Sequence, residues 1–232
     1  MMKKITPNKT PFIRRFIVVV ISTFIPAAAG MAAGNSPGEF FFDVGAGQVN
    51  YSADSFASSF DNRINSSLRT APFSLDTDDS DIGLRFSGGY QLNSNVAATF
   101  SFTDLGEYVF GGTSVDGTTV TSYEVATDAF TVEIGGRYAF PLMSDKFVPY
   151  VNAGLLIWSL DSELSVNSNV TGSSSDIDED SGLYIGIGLG ATYFFNDFFG
   201  MGAAWNHYDF NDAFKSGSFK MDFLSLSVYL IP

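Results

Sequence analysis

The sequence predicts an all-β fold, an eight-stranded antiparallel up-and-down transmembrane β-barrel. The first observation is a period of two in residues 182–210, where bulky apolar side chains alternate with small or polar ones, as on strands whose two faces differ. The second is that six other segments of strand length repeat this alternation. The third is that the connections between the segments alternate between long and short, an asymmetry typical of transmembrane barrels.

Residues 182–210 indicate which way the bulky side chains face. A turn at Asn196-Asp197 joins two strands that share one continuous apolar face, formed by Leu183, Ile185, Ile187, Leu189, Ala191, Tyr193, Phe199, Met201, Ala203 and Trp205. The opposite face is largely glycine, alanine and polar residues, too slight to fill an ordinary core. A soluble barrel puts its bulk inside, so these apolar residues are expected to face lipid.

The six remaining strands are predicted at residues 39–50, 81–92, 96–102, 128–140, 147–160 and 223–230. Four long outer loops are expected at residues 51–80, 104–127, 161–181 and 209–217, and short turns connect the other strands. Asp116-Gly117 lies between strand-like residues, so the second long loop is predicted to be a hairpin that rises above the membrane. The strands have about the 9–11 residues that a tilted membrane span requires.

Residues 1–33 are predicted to be a secretory signal peptide. Five basic residues precede a short apolar run at residues 16–25, and small residues then offer cleavage sites between Ala29 and Ala33. The run is shorter than the roughly 20 apolar residues of a spanning helix; the alternative is an uncleaved amphipathic anchor. The expected organisation is therefore a signal peptide at 1–33 and an outer-membrane barrel with four long outer loops at 34–232.

Charge and cysteine content exclude several classes of function. The chain has 12 Lys and Arg and 25 Asp and Glu; five bases lie in the N-terminal segment, which leaves seven and a net charge of −18. Nucleic acid is not an expected partner, because phosphate contacts need clustered basic residues. With no cysteine, the exported chain has no disulfide bonds. No later apolar stretch reaches helical spanning length, so membrane insertion requires a closed barrel.

The alternation places four charged residues on the inner face: Asp43, Arg85, Glu133 and Arg137. An eight-stranded barrel is only wide enough for side chains to fill it, and buried ions are costly without partners. The four residues are therefore predicted to form a neutral ion cluster across the barrel interior. The cluster is interpreted as a plug, and the alternative is a gate in a narrow pore.

Two acidic runs in the expected outer loops are weak candidates for a metal site. Asp176, Asp178 and Asp180 precede Gly182 as in a calcium loop, but the glycine is one position late and Ile187 replaces the bidentate glutamate. The second run lies at residues 76–81. Both runs are interpreted as solvated acidic loops, with divalent cations shared with lipopolysaccharide as the alternative, and no metal or other cofactor is predicted.

His207 is the single histidine, and it shares a strand face with Asp209. The two residues could form half of a lipid hydrolase site, but no serine lies within eight residues of His207, and a nucleophile must be within hydrogen-bond reach of its base. His207 is interpreted as an interfacial residue beside Trp205 and Tyr208 in the aromatic belt at the barrel rim. No enzymatic activity is predicted.

Three stretches resemble the OmpA-like family of small outer-membrane barrels: GGYQLNSNVAATFSFTDLGEY at residues 88–108, FVPYVNAGLLIW at 147–158 and GIGLGATYFFNDFFGMGAAWNHYDF at 186–210. The resemblance covers essentially the whole mature chain. It implies a monomer in the outer membrane of a Gram-negative bacterium, with both termini in the periplasm. It also implies contact with outer-membrane lipid and lipopolysaccharide, and outer loops that are open to an external ligand.

The chain departs from the family pattern in three respects. It ends Leu230-Ile231-Pro232, where family members usually end on an aromatic residue that assists assembly. Gly202 and Ala204 stand where the family commonly has inward Arg and Glu. The peptidoglycan-binding domain of the larger members is not expected in this protein, so the resemblance does not imply tethering to the cell wall.

The expected function is a structural and surface-interaction role in the cell envelope, with the lumen largely plugged by a polar network. The alternative is a narrow pore that passes small solutes or ions. An outer-membrane lipid enzyme and a secreted lipocalin-like carrier are two further alternatives, and the carrier would need polar outer faces on most strands. The fold does not rank adhesion, envelope integrity, phage reception and solute passage.

Overall fold

The computed structural model describes residues 37–52, 74–142, 146–210 and 219–232. The predicted signal peptide at 1–33, most of the first long loop and most of the last lie outside the described residues. No described segment is a helix that is long and apolar enough to cross a membrane. The described strands are β1 (Phe40–Ser52), β2 (Ser74–Asp78), β3 (Ser80–Gln91), β4 (Val96–Asp116), β5 (Thr119–Ala139), β6 (Phe147–Ser168), β7 (Gly172–Phe194), β8 (Phe199–Phe210) and β9 (Phe219–Leu230).

Eight of these strands close into an antiparallel ring, which confirms the predicted up-and-down barrel. The hydrogen-bonded order around the ring is β3, β1, β9, β8, β7, β6, β5 and β4, and the β3–β4 pairing completes it. The short β2 also pairs with β4, beyond the end of β3, so the two occupy the same position in the wall. Closure satisfies the backbone hydrogen bonds of the spanning strands, as the interior of a bilayer requires.

The two faces of the wall have opposite character, as the alternation predicts. Outward apolar side chains are exposed in the isolated chain: Ile82 is 72 % exposed, Leu183 66 % and Ile134 65 %. Their alternate neighbours point into the barrel and are mostly buried, because successive strand residues face opposite sides. The barrel is therefore surrounded by a broad apolar belt, the feature by which transmembrane barrels contact lipid.

The two ends of the barrel differ in their connections. At one end, called here the short-turn end, asparagine side chains close tight turns. Asn93 Oδ1 accepts a hydrogen bond of 2.9 Å from the Val96 N–H, and Asn196 Oδ1 accepts one of 2.8 Å from the Phe199 N–H. At the opposite end, called the hairpin end, the β4–β5 and β6–β7 hairpins extend past the other strands.

The second long connection, expected at residues 104–127, continues the barrel wall as a hairpin. β4 and β5 pair as far as the turn, with one irregularity between Asp104 and Glu107. Gly117 has a φ of 59° at the turn, a conformation that glycine adopts without steric cost. The hairpin predicted from Asp116-Gly117 is present, and its strands are longer than expected.

The third long connection, expected as a loop at residues 161–181, is strand over most of its length. β6 and β7 pair residue by residue up to Ser168 and Gly172. The prediction of a loop, made from the Ser, Asn and Asp content, was therefore wrong over most of this segment. The hydrogen bonds between strands are made by backbone groups, so polar side chains do not prevent strand pairing. Asn169 joins the two hairpins, because its side chain accepts a hydrogen bond of 3.0 Å from Val120 N and donates one of 2.8 Å to Thr118 O.

Two apolar clusters fill the ends of the barrel interior. The short-turn cluster comprises Phe41, Ala97, Ala139, Val148, Tyr150, Phe194, Ala204, Tyr229 and Ile231. The larger hairpin-end cluster comprises Val49, Tyr51, Leu105, Tyr108, Phe110, Tyr123, Val125, Ala129, Leu156, Trp158, Leu160, Tyr208, Phe210, Phe219, Met221 and Phe223. Polar and glycine residues occupy the inward positions between the two clusters.

Candidate functional site

The four predicted ions all lie inside the barrel, between the two apolar clusters. β1 carries Asp43, β3 carries Arg85, and β5 carries both Glu133 and Arg137, four residues apart on one face. The four residues are between 4 % and 8 % exposed. Their side chains point inward because of the strand alternation. They lie at a similar height in the barrel because of the β1–β3 register, in which Asp43 is opposite Ser87 and Gly45 is opposite Arg85.

Arg137 and Asp43 form an ion pair across the barrel. Arg137 Nη2 lies 3.7 Å from Asp43 Oδ2, and the Ser87 hydroxyl donates a short hydrogen bond to the same oxygen. Arg137 Nη1 donates a hydrogen bond of 2.7 Å to the Tyr229 hydroxyl. Both charges therefore have polar partners in an interior where unpaired charges would be costly.

Aromatic rings surround the Arg137 guanidinium. Its central carbon lies 4.1 Å from the centroid of Tyr150, 4.9 Å from Phe41 and 5.6 Å from Tyr229. These distances are within the range of cation–π attraction. Arg137 is thus held from one side by Asp43 and from the others by rings of the short-turn cluster, which fixes it at the boundary between the polar and apolar layers.

Arg85 has a neutral partner instead of a carboxylate at hydrogen-bond distance. Its Nη1 donates a hydrogen bond of 2.8 Å to Asn206 Oδ1, which also accepts one of 3.4 Å from Asn152 Nδ2. Glu133 lies beside Gly186 of β7, where an added Cβ would lie 3.5 Å from the Glu133 carboxyl carbon. Within the described part of the chain, Arg137 and Asp43 are the members of the predicted cluster at ion-pair distance, so one neutral four-ion cluster stays a prediction.

The extent of the apolar layers was not anticipated from the sequence, which suggested a polar interior. Along β1 the inward positions pass from Phe41 through Asp43 and two glycines to Val49; along β8 they pass from Ala204 through Asn206 to Tyr208. The expected polar interior is therefore the middle layer alone. The sequence alternation already places the aromatic residues near the hairpin end on the inward face, so the apolar layer at that end could have been predicted from it.

The inward glycines of β7 make room for rings of the neighbouring strand. A Cβ added to Gly182 would lie 2.5 Å from the Trp158 ring, and one added to Gly190 would lie 2.6 Å from the Tyr150 ring. Trp158 in turn packs against Phe210, with ring centroids 5.2 Å apart. At these two positions the glycine-rich inner face of β7 therefore accommodates aromatic side chains of β6.

The predicted acidic run lies on β7 at the hairpin end. Asp176, Asp178 and Asp180 are alternate residues of one strand, and a strand holds such residues roughly 7 Å apart. Within the described residues, no group of three or more His, Cys, Asp or Glu side chains is arranged to hold a metal ion. The three carboxylates of the run are therefore spaced along an extended strand.

His207 pairs with an acidic residue of the neighbouring strand β9. Its Nδ1 lies 2.9 Å from Asp222 Oδ1, and its ring stacks on Trp205 with centroids 5.9 Å apart. Asp209 instead lies 3.5 Å from Lys220 Nζ. Both pairs link β8 to β9 on the outward face of the barrel, and the carboxylate at hydrogen-bond distance from the His207 ring is that of Asp222.

The chain matches a known family over nearly its whole length. The family model for the outer membrane protein β-barrel domain matches residues 17–230. No curated protein is significantly similar in sequence to this chain.

Solved structures of outer-membrane proteins align with most of the chain. Ail of Yersinia pestis, in complex with the heparin analogue sucrose octasulfate, is 12 % identical, with 84 % of this chain and 99 % of Ail covered and a TM-score of 0.43. The N-terminal β-barrel domain of Pseudomonas aeruginosa OprF is 18 % identical, covering 83 % and 99 %, with a TM-score of 0.40. OprG of the same species is 13 % identical, covering 85 % and 98 %, with a TM-score of 0.44. With its closed ring of eight strands and its lipid-facing belt, the chain belongs to the family of small outer-membrane β-barrel proteins.

Proposed function

We propose that the protein is a monomeric structural and surface-interaction barrel of the cell envelope, and that its lumen does not conduct. The observation that carries the proposal is that an apolar cluster bounds the polar layer at each end. The largest side chains of the hairpin-end cluster, among them Tyr208, Phe210 and Phe223, are fully buried. Ions and hydrated solutes would have to cross both clusters.

The cost of that crossing follows from desolvation. Moving an ion out of water without compensating partners costs several kcal/mol or more. The lumen of an eight-stranded barrel is filled by its own side chains, and protein interiors pack with few gaps as large as a water molecule. The ion pair between Arg137 and Asp43 then stabilises the closed interior instead of selecting a permeant ion.

The hairpin end is proposed to face the outside, with the chain termini in the periplasm. Outer-membrane barrels have short turns on the periplasmic side and longer connections outside. The paired hairpins then project beyond the membrane and carry acidic side chains, where contact with lipopolysaccharide and an external ligand is expected.

Conductance in planar lipid bilayers tests the closed lumen. The wild-type protein is expected to give no steady openings. The double substitution Tyr208→Ala and Phe223→Ala, which removes two rings from the hairpin-end cluster, is expected to produce small openings or brief leaks. The matched control is Phe86→Ala with Phe102→Ala, which removes two outward rings that face each other on β3 and β4. Steady wild-type openings would contradict the proposal and support the narrow pore.

No catalytic role is proposed for His207. Its contacts with Asp222 and Trp205 hold the ring on the outward face, as expected of an interfacial residue. Lipid A from cells that carry the His207→Ala variant is therefore expected to have the same structure as lipid A from cells that carry the wild-type protein. A change in lipid A structure that depends on His207, measured by mass spectrometry of outer-membrane extracts, would indicate an enzyme instead.

A further inference from the structure

β7 loses one of its two neighbours partway along its length. On one side it pairs with β6 as far as Gly172. On the other side its pairing with β8 runs from Phe194 and stops at Ile187. Among the described strands, none takes the place of β8 beyond that point. Among the described strands, the backbone groups of residues 172–179 that point to this side therefore have no pairing strand, and this part of β7 is an open strand edge.

The far end of this edge is fully accessible and well supported. Every residue from 172 to 179 is exposed, including Ile177 at 57 %. The strand is nevertheless held in place, because β6 pairs with it without a register shift and Asn169 ties the hairpin to Thr118 and Val120 of the neighbouring hairpin. An edge that is already paired on its other side loses little conformational entropy when another strand is added.

Native proteins protect edge strands by bulges, prolines, charged side chains (lysine above all), short length or a covering element. In residues 172–179 the sequence has no proline and no lysine. Its charges are all negative: Asp176, Asp178 and Glu179. Within the described chain no basic side chain lies within ion-pair distance of these three. The edge thus repels acidic strands, including a second copy of itself, and its charge is complementary to a basic one.

We propose that this edge of β7 binds an extended basic segment of an external protein, which adds to the sheet as a new strand. The inference rests on the proposed function in one respect, the exposure of the hairpin end to the outside. Backbone hydrogen bonds to β7 would supply the geometry, and the side-chain charges would select the partner.

The alternation of β7 defines the sequence that would fit. Asp176 and Asp178 share one face of the strand, while Ile177 and Glu179 share the other. Residues directly opposite on adjacent antiparallel strands have Cβ atoms about 5 Å apart. The added strand should therefore carry Lys or Arg at two alternate positions facing Asp176 and Asp178, with an apolar residue between them facing Ile177.

Binding is tested with the whole protein in nanodiscs of zwitterionic lipid and a nine-residue peptide that alternates lysine with valine. Titration calorimetry measures affinity, and amide hydrogen exchange locates the bound strand. Added protection is expected in residues 172–179. The double substitution Asp176→Asn and Asp178→Asn should weaken binding about fivefold, because two exposed ion pairs together contribute about 1 kcal/mol. The charge-matched control Asp76→Asn and Asp116→Asn should change affinity less than about twofold.

Backbone pairing is separated from simple charge attraction by two methylated peptides. One is N-methylated on its odd-numbered amides and the other on its even-numbered amides, so both keep every lysine. In an added strand only one set of amides points at β7, so one peptide should lose binding while the other keeps it. Equal binding by both, or protection outside residues 172–179, would overturn the inference. If the peptide does not bind and the wild-type protein gives no openings in planar bilayers, the strand addition alone is overturned. If the wild-type protein conducts, the closed barrel alone is overturned.

Discussion

Arg137 shows how a single residue connects the two kinds of layer inside the barrel. Its charge is met by Asp43, while its planar face lies against Tyr150 and Phe41. Arginine suits this position because its flat, weakly hydrated guanidinium can form an ion pair and stack on rings at once. The residue joins β5 to the next strand, β6, and also to β1 and β9, which are far from it in sequence.

The ion pair can be tested by a double-mutant cycle. Arg137→Met is expected to destabilise the barrel by about 3–5 kcal/mol, because it leaves the Asp43 carboxylate buried without its cation. Adding Asp43→Asn should recover a large part of that loss, since both groups are then neutral. Urea unfolding in lipid vesicles measures the free energies. Additive effects of the two substitutions would show that the pair is not coupled.

Two glycines of β7 provide a matched test of packing. Gly182→Ala should cost about 1–3 kcal/mol, because the new methyl group would overlap the Trp158 ring, itself held by Phe210. Gly186→Ala places its methyl group at an ordinary contact distance from Glu133 and should change stability by less than about 0.5 kcal/mol. Comparable losses in the two variants, measured by urea unfolding, would contradict this packing.

At the scale of the strands, carboxylates line up across the hairpin end. Asp161 on β6 is directly opposite Asp128 on β5 and Glu179 on β7. It lies beyond Ile157, the last outward apolar residue of β6. Partial burial raises the pKa of Asp161 above its ordinary value of 3.8, and the negative charge of Glu179 raises this pKa further. Like charges in direct opposition on a sheet are unfavourable.

This row predicts a defined pH dependence. Because the folded-state pKa of Asp161 is above that of the unfolded chain, its contribution becomes more destabilising as the pH rises above 3.8 and through the raised pKa. Asp161→Asn should therefore raise the unfolding temperature at pH 7, and the gain should disappear at the acidic end of the range. The control is Asp116→Asn, which removes an exposed carboxylate at the β4–β5 turn. An equal gain from the control would assign the effect to net charge.

At the scale of the whole molecule, the apolar belt gives substitutions a cost that depends on depth. Ile134 lies opposite Phe100 and Leu155, within the belt, whereas Ile82 lies opposite Gln48 and beside Asp81 at its margin. Ile134→Lys should destabilise the inserted barrel by about 2–4 kcal/mol, and Ile82→Lys by about 0–1 kcal/mol. Both residues are exposed in the isolated chain, so equal costs in lipid-vesicle unfolding would contradict a lipid-facing belt.

Much of the barrel was predictable because strand periodicity is a local property. A shift of one residue exchanges the two faces of a strand, so the pattern around Ile134 and Leu189 determines which side contacts lipid. The same parity placed Asp43, Arg85, Glu133 and Arg137 inside. Strand length was less predictable: the polar residues of β6 and β7 were interpreted as a loop, although they pair in register up to Ser168 and Gly172.

The sequence by itself determined the strand faces, the number of strands in the ring and the inward direction of the ions, because each depends on neighbours a few residues away. Only the tertiary structure decided which inward groups meet. Arg85 reaches Asn206 across 121 positions of the chain, Trp158 covers Gly182, and β7 parts from β8 at Ile187. Contacts of this kind depend on ring closure and on the stagger between strands, and no local pattern specifies either.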